Sequence, residues 1–156
     1  SVAEAVVPPR LDHHLVARLS EWDFDIHSVP EVELPALCFG VLLEHPEVAL
    51  LGVDTQSLWR FVVEVAGRYR ALPFHSFRHA TDVLLSSSCM VRMLQRSHSN
   101  VLAEPWVVVS LLVAAIFHDV DHPALSNSFL IATRHPLALL YNNQSPLESH
   151  HCATGL

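Results

Sequence analysis

The segment that most constrains the fold is the apolar run W-V-V-V-S-L-L-V-A-A-I-F at residues 106–117, which leads directly into H-D-V-D-H at 118–122. The run is shorter than the roughly 20 residues that a membrane-spanning helix needs, so it predicts a buried helix in a globular core and no membrane segment. Ionisable groups at the end of a buried segment are stable only when they shift their pKa, pair with other groups or bind metal. We therefore expect residues 118–122 to be paired or to hold a metal ion.

The rest of the sequence has the periodicity of helices. Only four glycines occur, no stretch shows sustained strand alternation, and apolar residues recur at helical spacing, as at Leu58, Phe61, Val62 and Val65. Prolines precede several of these patterns, where a missing N–H costs nothing: Pro46, Pro105, Pro136 and Pro146. The sequence predicts an all-α fold, a compact multi-helix bundle of about eight helices. One helix should start near Thr55, and another should run from about Ser76 to Arg96.

Composition limits the classes of function. A chain of 156 residues is the size of one domain or part of one. Its net charge of −7 and nine Lys and Arg residues leave no basic stripe, so we expect no nucleic-acid partner. Three widely spaced cysteines argue against a disulfide framework and predict a cytoplasmic location, which is compatible with a membrane-associated parent protein. The chain shows no signal peptide and does not begin with Met, so we expect a fragment or a processed form.

Two histidine pairs stand at helical spacing in separate segments. His75 lies four residues before His79, and His118 lies four before His122, with Asp119 three before His122. Residues three or four apart share a helix face, and imidazole and carboxylate groups are common ligands of divalent metals. If the two segments meet, they can form a metal site. The alternative is an ordinary polar helix end, where the helix dipole favours His118.

Several other polar residues have both a structural and a functional interpretation. Asp82 could accept a hydrogen bond from the second ring nitrogen of His79, or it could be solvated on a helix surface. We expect Asn127 to cap the helix that follows it, with a position facing the ligand pocket as the alternative. Ser145 and Glu148 have the spacing of a capping box, with Ser145 as the cap and Glu148 at the third helical position.

The remaining histidines carry weaker signals. Six of them lie in polar or loop-like segments and are interpreted as ordinary: His13, His14, His27, His45, His98 and His135. His150 and His151 are sequence neighbours on different helix faces, so they are either ordinary or accessory to the ligands. Asp121 is interpreted as a structural loop residue before Pro123.

Three segments in order along the chain resemble the class I 3′,5′-cyclic-nucleotide phosphodiesterases, relatives of the HD-type metal phosphohydrolases. They are F-H-S-F-R-H-A-T-D-V (74–83), H-D-V-D-H-P-A-L-S-N-S-F (118–129) and L-A-L-L-Y-N-N-Q-S-P-L-E-S-H-H (137–151). Two mild departures are Ser76, where the family usually has Asn, and Phe74, where Tyr is common. The resemblance implies an HD-domain, phosphodiesterase-like fold, truncated on its C-terminal side. Residues 1–156 would be the N-terminal part of a single catalytic domain.

The resemblance also implies a ligand set. His79, His118 and Asp119 correspond to metal ligands, and Asp119 would bridge two divalent ions, Zn and Mg, with Mn possible. A hydroxide between the ions would attack the phosphorus of cAMP or cGMP to give a 5′-nucleoside monophosphate in signal transduction. Two metals can activate a water and clamp phosphoryl oxygens. A carboxylate can bridge two ions and an imidazole cannot, which agrees with the His-Asp order.

Further roles are implied around these ligands. His75 corresponds to the general acid that protonates the leaving O3′, and a histidine can hold a proton near pH 7. Glu148 would be oriented toward His75. His122 would touch the hydroxide or the phosphate, with a histidine packed at a helix end as the alternative.

The other hypotheses for the whole chain are another HD-type nucleotide phosphohydrolase, a catalytically inactive helical binding module, or a plain helical scaffold. With a further metal-ligating Asp and the purine-binding residues expected beyond Leu156, we expect weak metal binding and poor turnover by this chain alone.

Overall fold

The computed structural model describes residues 8, 19, 21–97 and 104–155. The regular elements in these ranges are helices, and no strand occurs among the described residues. The α-helices are α1 (Leu34–Leu43), α2 (Pro46–Leu50), α3 (Thr55–Arg68), α4 (Phe77–Arg96), α5 (Pro105–Phe117), α6 (Asn127–Ala132), α7 (Pro136–Leu140) and α8 (Pro146–Gly155). Two 3-10 turns, Ile26–Ser28 and Glu31–Glu33, precede α1. The predicted all-α fold is confirmed.

The helices begin and end close to the positions that the sequence indicates. Four of them start with the prolines singled out above, at the heads of α2, α5, α7 and α8. At the start of α3, the Asp54 side chain accepts a hydrogen bond of 2.9 Å from the N–H of Ser57. The face of α3 that carries Leu58, Val62 and Val65 is buried as expected. The helix expected from Ser76 begins one residue later, with Ser76 as its N-cap.

The main core lies where α4 packs along α5 and against α1. Leu84 and Val91 of α4 meet Leu112 and Ile116 of α5 in this core, and all four side chains are fully buried. Burial of these apolar side chains fixes the C-terminal end of α5, and with it the polar residues that follow. The expectation of a buried α5 holds for one side only, because Trp106 on the other side is 59% exposed. None of the described helices has the length and apolar content needed to cross a membrane.

A smaller cluster joins the last three helices. Leu130 of α6, Ala138 of α7 and Leu147 of α8 are buried together. The short connections between these helices are made by residues with positive φ, including Asn142 at 57° and Asn143 at 60°. Asparagine enters this left-handed conformation at lower cost than most residues. These turns return α8 to the end of α5, which brings the third sequence motif next to the second.

The prediction that Asn127 caps α6 is wrong. The N-cap of α6 is Ser126, whose Oγ accepts a hydrogen bond of 3.2 Å from the N–H of Phe129, while Asn127 is the first residue of the helix. Asn127 instead acts across the fold. Its Oδ1 accepts from the N–H of Leu147 at 2.9 Å, and this bond caps the start of α8.

The Asn127 side chain also takes the place of the capping box that was predicted at the start of α8. The Glu148 carboxylate accepts from Asn127 Nδ2 at 3.0 and 3.2 Å. Ser145 precedes Pro146 as predicted, and its carbonyl oxygen accepts from the N–H of Ser149 at 3.0 Å. Its φ of 41° differs from the extended backbone that an N-cap residue normally has. The sequence pattern predicted that Ser145 would be the hydrogen-bond partner of the first turn of α8. Packing of α6 against α8 makes Asn127 that partner instead.

The histidines interpreted as ordinary behave in different ways. His27 is exposed, and His135 caps α7, with its Nδ1 accepting from the N–H of Leu137 at 3.2 Å. His45 lies between α1 and α2, as expected of a loop-like residue, but its interpretation as an ordinary residue without a partner is wrong. His45 is only 2% exposed, and its Nε2 lies 2.8 Å from Ser88 Oγ. His13, His14 and His98 lie outside the described residues.

Candidate metal centre

The first turn of α4 and the end of α5 bring the three predicted ligands together. His79 Nε2 lies 3.3 Å from His118 Nε2, although 39 positions separate them along the chain. One oxygen of Asp119, Oδ2, lies 3.4 Å from His79 Nε2 and 3.2 Å from His118 Nε2. Three potential ligand atoms therefore converge on one point. They converge because α4 and α5 pack side by side in the core.

The hydrogen bonds and charges of these groups suit a metal ligand set. His118 Nδ1 donates to the carbonyl oxygen of Ala115 at 2.9 Å, so the lone pair of the neutral ring is on Nε2, which faces the centre. Burial, together with the neighbouring His118, lowers the pKa of His79 and favours its neutral form. Metal ligation requires neutral imidazoles. Two imidazole nitrogens and a carboxylate fit a divalent ion such as Zn²⁺.

Asp119 turns its other oxygen toward a second group. Its Oδ1 lies 3.7 Å from His151 Nε2, and Asp119, His122 and His151 also offer ligand atoms within 4.8 Å of one another. His151 Nδ1 donates to Val120 O at 2.8 Å, so the lone pair of the neutral ring is on Nε2. Asp119 therefore has one oxygen beside His79 and His118 and the other toward His151. This arrangement suits a bridging carboxylate.

His122 differs from the other histidines in its tautomer. Its Nδ1 accepts from the N–H of Ala124 at 3.0 Å, so the ring proton of the neutral form is on Nε2. Burial is the main cause of a lowered pKa of His122. A neutral His122 is therefore a hydrogen-bond donor at Nε2, which suits a contact with a water or a phosphate oxygen better than direct metal ligation.

His75 lies next to this group, in the loop before α4. Its ring stacks on that of His122, with the centroids 3.8 Å apart and the planes 4° apart. The centroid of His75 is 6.3 Å from that of His79. Phe74 packs against both rings, at 5.0 and 4.6 Å between centroids. The predicted acid residue therefore lies beside the predicted ligand residues.

The route by which these side chains meet differs from the expectation of helical spacing. His75 precedes the N-cap of α4, so His75 and His79 are not on one helix. α5 ends at Phe117, and Asp121 has a φ of 56°, so His118 and His122 are joined by a turn. The left-handed residue reverses the chain and brings His122 back toward the site.

The remaining predicted residues surround this centre. Asp82 is exposed and lines, with His79 and Phe74, a cavity of about 120 Å³. Glu148 is exposed and bonds to Asn127. A hydrogen bond from its own backbone N–H and the bonds from Asn127 lower the pKa of Glu148, so the carboxylate is ionised at neutral pH.

Sequence reasoning missed the residues that hold the turn. Tyr69 donates to Ile116 O at 2.7 Å and accepts from the Asp119 N–H at 3.4 Å. Arg70 Nε donates to Asp121 Oδ1 at 2.6 Å. The hydrogen bond from Arg70 is the main cause of a lowered pKa of Asp121. Asp121, which we interpreted as a loop residue, therefore forms an ion pair with Arg70. No spacing pattern in the sequence predicts this pair.

Comparison with known proteins places this chain in a family. A family model described as 3'5'-cyclic nucleotide phosphodiesterase matches residues 74–156. The chain is 42% identical over 101 residues to the cGMP-specific 3',5'-cGMP phosphodiesterase 3 of Dictyostelium discoideum, covering 65% of this chain and 21% of that protein. It is 33% identical over 141 residues to the 3',5'-cyclic-AMP phosphodiesterase 4C of Rattus norvegicus, covering 87% of this chain and 26% of that protein.

The fold agrees with that of solved structures. The phosphodiesterase domain of the RhoPDE fusion protein from the choanoflagellate Salpingoeca rosetta superposes with a TM-score of 0.80 at 33% identity. The match covers 88% of this chain and 42% of that chain, so the described helices correspond to part of such a domain. The expected phosphodiesterase-like fold is confirmed. Because the matching residues 74–156 make up more than half of its length, the chain belongs to the 3',5'-cyclic nucleotide phosphodiesterase family.

Proposed function

We propose that this protein hydrolyses 3′,5′-cyclic nucleotides, cAMP or cGMP or both, to 5′-nucleoside monophosphates. The observation that carries the proposal is the convergence of His79, His118 and Asp119 at 3.2–3.4 Å, with the other Asp119 oxygen turned toward His151. The named activities of the relatives support it. Because the chain spans only 21% and 26% of those relatives, we propose that residues 1–156 form one part of a single catalytic domain.

The ligand residues define where metal would be held. The family is metal-dependent. His79, His118 and Asp119 Oδ2 would hold one divalent ion, and Asp119 Oδ1 would contribute to a second, with Zn and Mg as the proposed pair and Mn possible. When bound, such ions lower the pKa of a water and stabilise charge on phosphoryl oxygens.

The surrounding side chains would handle the proton and the substrate. His75 would donate a proton to the leaving O3′, because histidine exchanges protons near neutral pH. The stacked His122 ring would keep His75 in place and donate from Nε2 to a phosphate oxygen or a water. Glu148 and Asn127 would form one wall of the site, and Asp82, which lines a cavity together with His79, would orient that ring.

Metal content and hydrolysis test the proposal together. We would measure bound zinc by elemental analysis, and release of 5′-AMP and 5′-GMP, in the smallest protein that contains this chain and has measurable activity. Asp119→Ala should lose both metal and hydrolysis. His75→Ala should keep the metal and lower kcat by about 10²-fold or more, the usual contribution of a general acid.

The results also separate the alternatives. A protein that holds metal but hydrolyses only non-cyclic nucleotides would be another HD-type phosphohydrolase. One that holds no metal and leaves both cyclic nucleotides intact would be a binding module or a scaffold, and the proposed function would be wrong.

A further inference from the structure

The turn at residues 118–122, here called the ligand turn, is held from two sides by polar side chains outside the predicted ligand set. Arg70, just beyond the end of α3, donates through Nε to Asp121 Oδ1 at 2.6 Å. His150 of α8 donates through Nε2 to Asp121 Oδ2 at 2.8 Å. Both oxygens of the carboxylate are therefore used, and each is held by a different element of the fold.

Asp121 lies between Asp119 and His122, so its contacts affect the positions of both residues. Its φ of 56° is left-handed, a conformation that aspartate adopts at lower cost than most residues. The reversal at this residue lets the N–H of His122 donate to Asp119 O at 3.2 Å, so the backbones of these two site residues are joined across the turn. A shift at Asp121 would therefore move Asp119 and His122 together.

Neighbouring residues hold the same turn through its backbone. Tyr69, adjacent to Arg70, accepts from the Asp119 N–H at 3.4 Å. His151, adjacent to His150, donates to Val120 O at 2.8 Å. Two pairs of adjacent residues therefore grip the ligand turn, and in each pair one member binds the backbone while the other binds the Asp121 carboxylate.

We propose that Arg70 and His150 are positioning residues that act through the Asp121 carboxylate to hold Asp119 in metal-binding geometry, with His122 beside it. This inference rests on the proposed function, because it assumes that Asp119 is a ligand. Residues that orient metal ligands from outside the ligand set typically change metal affinity by about 10- to 100-fold when they are replaced. An exposed ion pair with a purely structural role would change stability slightly and leave metal affinity unchanged.

Arg68 offers a matched control two residues earlier. Its Nη1 donates to Thr154 O of α8 at 3.1 Å, and its guanidinium pairs with Glu64 at 3.0 Å. The exposure of its side chain is 48%, close to the 47% of Arg70. Arg68 and Arg70 thus both link the end of α3 to other parts of the fold, but the Arg70 contact leads to the ligand turn.

The experiment measures Co²⁺ binding to the whole chain. Affinity comes from competition with a chelator, and ligand geometry comes from the visible absorption spectrum of bound Co²⁺. Arg70→Met should weaken Co²⁺ binding by about 10-fold or more and change the spectrum. Arg68→Met should bind Co²⁺ with unaltered affinity and spectrum. Arg70→Lys should restore part of the affinity, because it keeps the charge.

A second substitution tests whether the effect passes through the carboxylate. Asp121→Asn keeps a side chain that tolerates the left-handed backbone but loses the charge. It should weaken Co²⁺ binding as Arg70→Met does, and the double variant should be little worse than either, because contacting residues that act as one unit are not additive. Asp121→Asn also serves as the test if Arg70→Met does not fold by circular dichroism.

Three results would overturn the inference. The first is an unaltered Co²⁺ affinity and spectrum in Arg70→Met or Asp121→Asn, while the unaltered chain binds Co²⁺. The second is an equal loss of affinity in Arg68→Met, and the third is full additivity in the double variant. If the unaltered chain holds no Co²⁺ at all, the proposed metal centre itself is wrong and the inference falls with it.

Discussion

At the scale of single residues, the site depends on which atom of each polar group is already engaged. The Ala115 carbonyl holds the proton of His118 on Nδ1, and the Ala124 N–H holds that of His122 on Nε2. Two histidines in one turn therefore present opposite groups, His118 a lone pair on Nε2 and His122 an N–H on Nε2. The residue types predict a metal site, but these backbone contacts decide the tautomers.

Tyr69 supplies a test at this scale. Its hydroxyl links Ile116 O and the Asp119 N–H, and Tyr69→Phe would remove both bonds. We expect a loss of about 1–3 kcal/mol in the free energy of unfolding, because two partly buried backbone groups lose a partner. Urea denaturation measures the loss. Tyr141→Phe is the control, and an equal effect of both substitutions would contradict the assigned role of Tyr69.

His45 gives a pH-dependent prediction that is independent of the site. Burial, with a smaller contribution from Arg92, lowers the pKa of His45 below the usual 6.5. The unfolded chain therefore binds more protons than the folded chain as the pH falls below that value, so this residue makes stability decrease on acidification. The loss should level off below the folded pKa.

The prediction for His45 is measured as a difference. The free energy of unfolding should fall less between pH 7.5 and about 5 in His45→Gln than in the unaltered chain, because the variant lacks the titrating group. His27→Gln is the control, since His27 is exposed. Parallel pH profiles for the unaltered chain and His45→Gln would show that His45 does not titrate with folding.

At the scale of the elements, α5 shows how far periodicity can be used. Its sequence is apolar on every side, so the pattern predicts a helix but not which face is covered. Leu112 is fully buried against α4, whereas its neighbour Leu111 is 43% exposed. Only the packing of α4 and α2 against α5 distinguishes them, and that packing fixes where His118 and Asp119 emerge.

These two leucines form a matched pair of variants. We expect Leu112→Ala to lower the free energy of unfolding by about 2–5 kcal/mol, because it leaves a cavity in the core. Leu111→Ala should cost less than about 1 kcal/mol, since it removes mostly exposed surface. Chemical denaturation of both variants measures the difference. Similar losses in the two would mean that α5 is packed on its other face as well.

At the scale of the whole molecule, the candidate metal centre joins segments that are distant in sequence. His79 belongs to α4, the ligand turn follows α5, and His151 belongs to α8. An ion held by these groups would connect the main core to the smaller cluster of α6, α7 and α8. Binding only to the folded state would therefore stabilise the whole fold.

Zinc should consequently raise the melting temperature of the chain. The expected stabilisation is about 2.7 kcal/mol when free zinc is 100 times its dissociation constant, and a chelator should reverse it. Asp119→Ala should abolish the shift, while Asp23→Ala, an exposed carboxylate outside the centre, should retain it. Differential scanning fluorimetry measures the shift, and an equal shift in Asp119→Ala would indicate zinc binding elsewhere.

The sequence by itself determined the helices and the identity of the candidate ligands. Helical spacing and prolines depend on residues a few positions apart, so α3, α4 and the starts of four helices follow from local rules. The motifs also identified His79, His118 and Asp119 as candidate ligands. Their roles as ligands remain a prediction, although the structure brings their atoms together.

Only the tertiary structure decided the partners of these residues. Arg70 and Asp121 are 51 positions apart, and Asp121 and His150 are 29 apart, so no local pattern connects them. The same holds for Asn127, which caps α8 instead of its own helix, and for His45, which is buried by packing. These contacts exist because burial of the apolar faces of α4, α5 and α8 brings distant polar groups together, where each must find a hydrogen-bond partner.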